Sequence, residues 1–167
     1  MKNEDLLMLY TSGKGYLEFI ETNSGFYKES ILNFKSNVIL PLEVVNEIKA
    51  LEQEKYFLAV AEPWCENCVI NVTLLAVAAE INNKINYKIV PQDELGDQLT
   101  ILCTEDVVNI PIIFELSSTG DILNTFLEKP KILRKLENDS SVVRTAMKKK
   151  YREGGLAEEI VREILKI

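Results

Sequence analysis

Between Lys55 and Val90 two short strand-like runs enclose an almost wholly apolar helical stretch, and that order commits the chain to a sheet with a crossover connection. Lys55–Val60 (KYFLAV) is aromatic and β-branched, and Glu62-Pro63 ends it, because proline cannot donate to a ladder. From Asn67 to Asn82 apolar residues stand at 69, 70, 72, 74, 75, 77, 78, 79 and 81, leaving a narrow polar edge of Asn71, Thr73 and Glu80. Such a helix is expected to be mostly buried. Ile85–Val90 (INYKIV) follows as a second strand, stopped by Pro91. Strand, helix, strand implies a right-handed parallel crossover.

On either side of this unit the pattern turns helical. Leu6, Leu7 and Tyr10, then Tyr16, Leu17, Phe19 and Ile20, then Phe26, Tyr27, Ile31 and Phe34 recur at three- and four-residue steps, punctuated by Gly13, Gly15 and Gly25. Pro41 opens a further helix, with Leu42, Val45, Ile48, Ala50 and Leu51 as its expected core face. Beyond Pro91 the spacing of Leu99, Leu102 and Cys103 predicts a helix over Gln98–Val107, with Cys103 as a packed small hydrophobe. Ile112–Leu116 and Asp121–Leu127, joined across Ser117–Gly120, read as an antiparallel hairpin. Residues 131–149 read as helical with a polar interruption at Asn138–Ser141. After Gly154-Gly155 a last amphipathic helix carries the stripe Leu156, Ile160, Val161 and Ile164. We expect an N-terminal helical segment (1–52) packed on a domain of residues 53–167 that includes the C-terminal helix.

Cys65 and Cys68 stand where the first strand gives way to the buried helix. A sulfur at a helix start lies over unpaired backbone N–H groups at the positive end of the dipole, which favours thiolate over thiol. Three-residue spacing puts Cys68 on the same face, so that the two sulfurs can meet, with Cys65 the exposed attacker and Cys68 the buried resolver. Two other readings of the pair are a structural metal half-site and inert packing. The chain has no histidine and three cysteines, which excludes a four-ligand zinc site of Cys and His within one chain. A C-x-x-C beside a β–α pattern is itself a redox signature.

The balance of 19 basic against 26 acidic residues, net −7, argues against a general nucleic-acid binder. The one basic run, Lys148–Lys150 with Arg152, reads as a solvated helix face close to Glu153, Glu158 and Glu159. The N-terminal apolar stretch is too short for a signal-peptide core, and no run reaches the roughly 18–20 apolar residues of a membrane span. With an odd cysteine count, these features lead us to expect a cytoplasmic protein with no membrane contact, in which the pair rests mostly reduced.

The residues Ala61-Glu62-Pro63-Trp64-Cys65-Glu66-Asn67-Cys68, with Asn109-Ile110-Pro111 opening a later strand, resemble the thioredoxin superfamily. The likeness is closest to thioredoxin-like proteins with an N-terminal helical extension, and covers residues 55–130 best. It implies an α/β fold, a central mixed sheet flanked by helices, here with added N-terminal helices and a C-terminal helix. It also implies that Pro111 is a cis-proline facing the cysteines, that Ile110 offers backbone hydrogen bonds to an extended substrate, and that Trp64 shields the disulfide and contacts partners. The departures lie at Glu66-Asn67 between the cysteines and at Ala59, where thioredoxins place a buried carboxylate that deprotonates the resolving cysteine. Water, Lys88 or Glu62 would have to serve instead. The Glu66 charge is expected to tune the site against the thiolate, at a Coulomb cost of roughly 0.8–3 kcal/mol against a helix-terminus gain of about 0.3–2 kcal/mol.

The leading expectation is a thiol–disulfide oxidoreductase in which Cys65 attacks and Cys68 resolves, with no cofactor and no metal. Its substrates would be disulfide-containing proteins or small thiols, its electron partner a reductase or another dithiol, and its state a monomer or homodimer. A binding module that keeps the fold without turnover is the first alternative. A metal or iron–sulfur carrier using a site shared between chains is the second.

Overall fold

The structure, a computed structural model, describes residues 3–22, 26–96, 98–103 and 108–167. Four strands form one mixed sheet: β1 (Lys55–Val60), β2 (Ile85–Val90), β3 (Ile112–Leu116) and β4 (Ile122–Leu127), in the order β2-β1-β3-β4. β1 runs parallel to β2, with Phe57 opposite Tyr87, and antiparallel to β3, with Phe57 opposite Glu115. β3 and β4 form the expected hairpin, with a register shift at Glu115/Leu116. β1 and β3 are central and carry the apolar residues Phe57, Leu58, Val60, Ile112, Ile113 and Phe114, all at most 1 % exposed. The buried carboxylate of Glu115 is matched by Lys55 at 2.6 Å, which is what makes a charge tolerable there.

Helices flank the sheet. Four precede it: α1 (Asn3–Ser12), α2 (Tyr16–Glu21), α3 (Phe26–Asn37) and α4 (Leu42–Lys49). The crossover between β1 and β2 is α5 (Glu66–Ile81); α6 (Gln98–Cys103), α7 (Lys131–Arg134), α8 (Ser141–Arg152) and α9 (Ala157–Leu165) follow. α5 packs against α3, α4, α9 and β2, so it is enclosed by helices from both ends of the chain. The α9 stripe is buried as its spacing requires. At the outer side of β2, Lys14 and Ile89 exchange backbone hydrogen bonds of 2.8 and 2.9 Å, so the α1–α2 connection covers part of that sheet edge. Gly13 permits this approach: a Cβ there would lie 2.8 Å from Lys88 Cβ.

Several expectations need correction. Asn71 and Thr73 are not a polar edge of α5 but fully buried, because α5 is covered on that side too and each side chain finds a partner there. On α4 the core face is Val44 and Ile48, while Leu42 (74 % exposed) and Ala50 lie outside it; Pro41 is the N-cap rather than the first helical residue. Leu17 is also exposed, since α2 is only six residues long and turns Tyr16, Phe19 and Ile20 inward. The segment expected as one interrupted helix over 131–149 is α7, a 3-10 turn over Lys135–Asn138, and α8, whose N-cap Ser140 accepts from Val143 N–H at 3.4 Å. The expected helix over Gln98–Val107 is described as far as Cys103; residues 104–107 lie outside the described residues.

Candidate active site

Cys65 is the N-cap of α5. Pro63 and the extended backbone of Cys65 (φ −88°, ψ 116°) stop the helix from starting earlier, and the sulfur takes the place usually held by a serine or aspartate oxygen. Cys68 N–H donates to Cys65 Sγ at 3.2 Å. On the opposite side the Cys65 thiol donates to the carbonyl of Ile110 at 3.6 Å. Ile110–Pro111 is a cis peptide, and both residues are buried beside the sulfur. Cys65 is half-buried and Cys68 fully buried beneath it, both as free thiols. Trp64, the residue before Cys65, is 59 % exposed.

The two thiols are driven apart electrostatically. Cys65 is held below the ordinary thiol range, first by a hydrogen bond from the Cys68 thiol and further by the backbone N–H groups of Cys68 and Asn67; partial burial and the Glu128 carboxylate oppose this. Cys68 is pushed far above that range, chiefly by burial, then by the neighbouring Cys65 sulfur; the Glu62 backbone N–H opposes this and the Glu62 carboxylate adds to it. Cys65 is therefore the sulfur that ionises. Glu62, weighed above as a proton carrier, has its backbone N–H and carboxylate near Cys68 and accepts from Gln92 N–H at 2.9 Å. Lys88 stands elsewhere, on β2 against Gly13.

The side chains of Glu66 and Asn67 find partners away from the thiols. The Glu66 carboxylate leans outward onto Arg152 of α8, Oε2 to Nε 3.0 Å, so its charge is met before it reaches the sulfur. Asn67 turns toward Glu128, its Nδ2 3.4 Å from Oε1. Glu128, just after β4, is the residue that sequence reasoning missed. Its φ of +52° is left-handed, a conformation that costs a non-glycine residue on the order of 1 kcal/mol. Four contacts hold it: its N–H donates to Pro111 O at 2.7 Å, its carbonyl accepts from Asn71 Nδ2 at 3.0 Å, and its carboxylate meets Asn67 Nδ2 at 3.4 Å and Lys129 Nζ at 3.5 Å.

Asn71 joins this loop to the C-terminal helices, because its Nδ2 also lies 2.9 Å from the Tyr151 hydroxyl and 2.8 Å from Asn67 O, while its Oδ1 has no partner. Two amide hydrogens serve three acceptors. The phenol of Tyr151 is raised well above its ordinary range, mainly by burial; its bond to Asn71 works the other way, and the charges of Cys65, Cys68 and Glu66 add to the rise. Only the one-turn spacing of Asn67 and Asn71 on the Cys68 helix could have marked this cluster. Glu128, Tyr151 and Arg152 carry no local pattern that points to Cys65.

A family model described as Thioredoxin matches residues 13–150. Among solved structures, the crystal structure of an HIV epitope scaffold of the 4E10 series superposes with a TM-score of 0.83 at 20 % identity, covering 96 % of this chain and 94 % of that one. The crystal structure of a protein of unknown function from Pseudomonas aeruginosa superposes with a TM-score of 0.81 at 20 % identity, covering 95 % and 93 %. No curated protein matches the chain. At that identity the two structures carry the fold alone, and the family rests on the match across 13–150, within which the strand–helix junction holds Cys65 and Cys68 and a later strand opens on Pro111: the chain belongs to the thioredoxin family.

Proposed function

We propose that the protein is a thiol–disulfide oxidoreductase. The observation that carries this reading is the asymmetry of the pair: a half-exposed Cys65 sulfur receiving backbone N–H groups at a helix start, above a buried Cys68. Cys65 thiolate attacks a substrate disulfide R–S–S–R′, forming Cys65–S–S–R and releasing R′S⁻, which takes a proton from water. Cys68 gives its proton to solvent, attacks Cys65 Sγ and releases RS⁻. The substrate gains two electrons, the pair becomes a disulfide, and an external dithiol restores it. Ile110 and Pro111 border the place where R–S–S–R′ must lie, and Trp64 its other flank. Disulfide-bearing proteins or small disulfides are the substrates, and a reducing cytoplasmic compartment suits three cysteines of which one has no motif partner. No described helix is long and apolar enough to cross a membrane.

The test is a cysteine trap. Cys68→Ser should accumulate mixed disulfides through Cys65, Cys65→Ser should accumulate none, and the wild type should lose two hydrogens on oxidation by diamide and regain them with dithiothreitol. Trapping by Cys65→Ser alone would reverse the roles. A wild type that undergoes no two-electron change, with neither variant trapping, would remove the oxidoreductase reading.

A further inference from the structure

Beside Trp64 lies a groove of about 790 Å³ between α3, the start of α5 and the end of α8, lined by neither Ile110 nor Pro111. That volume is in the range of pockets that enclose a ligand of several tens of atoms. Its apolar surface comes from Tyr27 and Phe34 of α3, Val69 of α5 and Trp64 itself. Ser30, Asn33 and Asn37 add a row of hydroxyl and amide groups at three- and four-residue steps along α3, which is the spacing of one helix face. Its charged residues are Glu66, Glu153 and Arg152, and Arg152 is already engaged by Glu66 at 3.0 Å. Lys149 reaches Glu153 at 3.8 Å.

We infer that this groove binds the uncharged or basic, apolar peptide segment that flanks the disulfide of a protein substrate. The inference rests on the oxidoreductase reading and deepens it by naming the substrate class. Continuity with the thiols is the first reason: Trp64 lines the groove and is the residue before Cys65, so a chain whose disulfide reaches Cys65 Sγ continues over Trp64 into it. Chemistry is the second. Aromatic and aliphatic walls take apolar side chains, and the Ser30 hydroxyl and the Asn33 and Asn37 amides, the last already donating to Asn33 O at 2.7 Å, can meet the N–H and C=O groups of an extended backbone. Charge is the third: Glu66 is paired with Arg152 and Glu153 with Lys149, so neither cation is left over to hold an anionic tail such as that of glutathione disulfide. A narrow concave site also suits a chain segment better than the broad face of a second copy, which requires about 800 Å² per partner.

Trp64 is the single tryptophan of the chain, so its fluorescence reports occupancy without turnover. The binding probe is three peptides identical except at the two residues on each side of a central serine: Leu and Phe, Ser, or Asp. The Leu/Phe peptide should perturb Trp64 emission saturably, with at least fivefold tighter half-saturation than the Ser peptide and tighter still than the Asp peptide. Tyr27→Ala and Asn33→Glu, both at exposed positions of α3, should each weaken the Leu/Phe peptide at least threefold, with melting curves checking the fold. In turnover, the same peptides bearing cysteine as mixed disulfides with 2-mercaptoethanol should show the same order in kcat/KM, and the ratio of the Leu/Phe substrate to bis(2-hydroxyethyl) disulfide should fall in both variants. Equal response to the three peptides, an order that neither variant changes, or a preference for glutathione disulfide abolished by Arg152→Ala would overturn the inference. Selective binding with no turnover of any disulfide would instead retain the groove and remove the oxidoreductase reading.

Discussion

Cys65 reacts as a thiolate only to the extent that donors outweigh acceptors around one sulfur. Two backbone N–H groups and the Cys68 thiol face it; Glu128 is the carboxylate whose field opposes them, and Glu66 is diverted onto Arg152. Glu66→Gln should therefore leave the pH profile of iodoacetamide alkylation at Cys65 nearly unchanged. Arg152→Gln, which frees the Glu66 charge, should move that profile to higher pH and slow alkylation at pH 7 roughly threefold, with the double variant restoring it. Mass spectrometry at Cys65 follows all three; a shift in Glu66→Gln as large as in Arg152→Gln would show that the ion pair does not screen the sulfur. The placement of the two cysteines at the start of α5 and the cis Ile110–Pro111 peptide beside Cys65 were legible because a local pattern marks each one. Arg152 was read as part of a solvated basic face, and its placement beside Glu66, 86 positions away, depends on how α8 packs. Glu128 was equally hidden, because a left-handed turn after β4, and no local pattern, brings its carboxylate near Cys65.

At the scale of elements, α5 was recognised from its apolar content and misread at its polar positions. Asn71 and Thr73 looked like an outward edge because sequence shows only that they are polar, whereas the tertiary fold supplies what they bond: the Glu128 loop and Tyr151 for Asn71, and the Tyr16 hydroxyl at 2.9 Å for Thr73. Thr73→Val keeps the shape and orphans the buried Tyr16 hydroxyl, so it should cost about 1–3 kcal/mol in urea unfolding. Asn71→Ala should cost a similar amount, on the order of 1–3 kcal/mol, and should also alter the pH profile of Cys65, since it releases the loop that carries Glu128. If Asn71→Ala lowers stability while that profile stays fixed, the loop keeps its place without Asn71, through Pro111 and Asn67. The edge cover of β2 gives a separate test. Gly13→Ala places a methyl 2.8 Å from Lys88 Cβ and 3.3 Å from Ile89 O, and should lower stability by roughly 1–3 kcal/mol with faster hydrogen exchange at Lys14 and Ile89 N–H. Strands were legible as short aromatic and β-branched or apolar runs bounded by proline or a glycine turn, and the α9 stripe because a period of 3.6 survives without context. The break between α7 and α8 was foreseen as polar, and the exposure of Leu17 and Leu42 was not, since an apolar residue at a helix end has no face assigned until its neighbours are placed.

For the molecule as a whole, buried acids of high proton affinity set a limit at alkaline pH. Tyr10 and Tyr87 are pushed up to about 12, chiefly by burial, and Tyr151 and the reduced Cys68 rise further. Each binds its proton more tightly folded than unfolded, so their stabilisation is complete below the unfolded values near 9–10 and is lost as pH rises beyond them. Cys65 has the opposite sign, its contribution being present at high pH and lost on acidification through its lowered value. The melting temperature of the reduced protein should therefore fall steadily above about pH 9–10, and Tyr151→Phe should flatten that fall; circular dichroism melts across this range decide it. The pairing of Lys14 with Ile89 also bears on synthesis. α1 to α4 leave the ribosome before the surfaces of β1, α5 and β2 that cover their apolar faces exist, and at about 5–20 residues per second that interval lasts several seconds. During it Leu6, Phe19, Ile20 and Ile31, all at most 3 % exposed in the finished fold, still wait for the β1–α5–β2 unit that completes their burial.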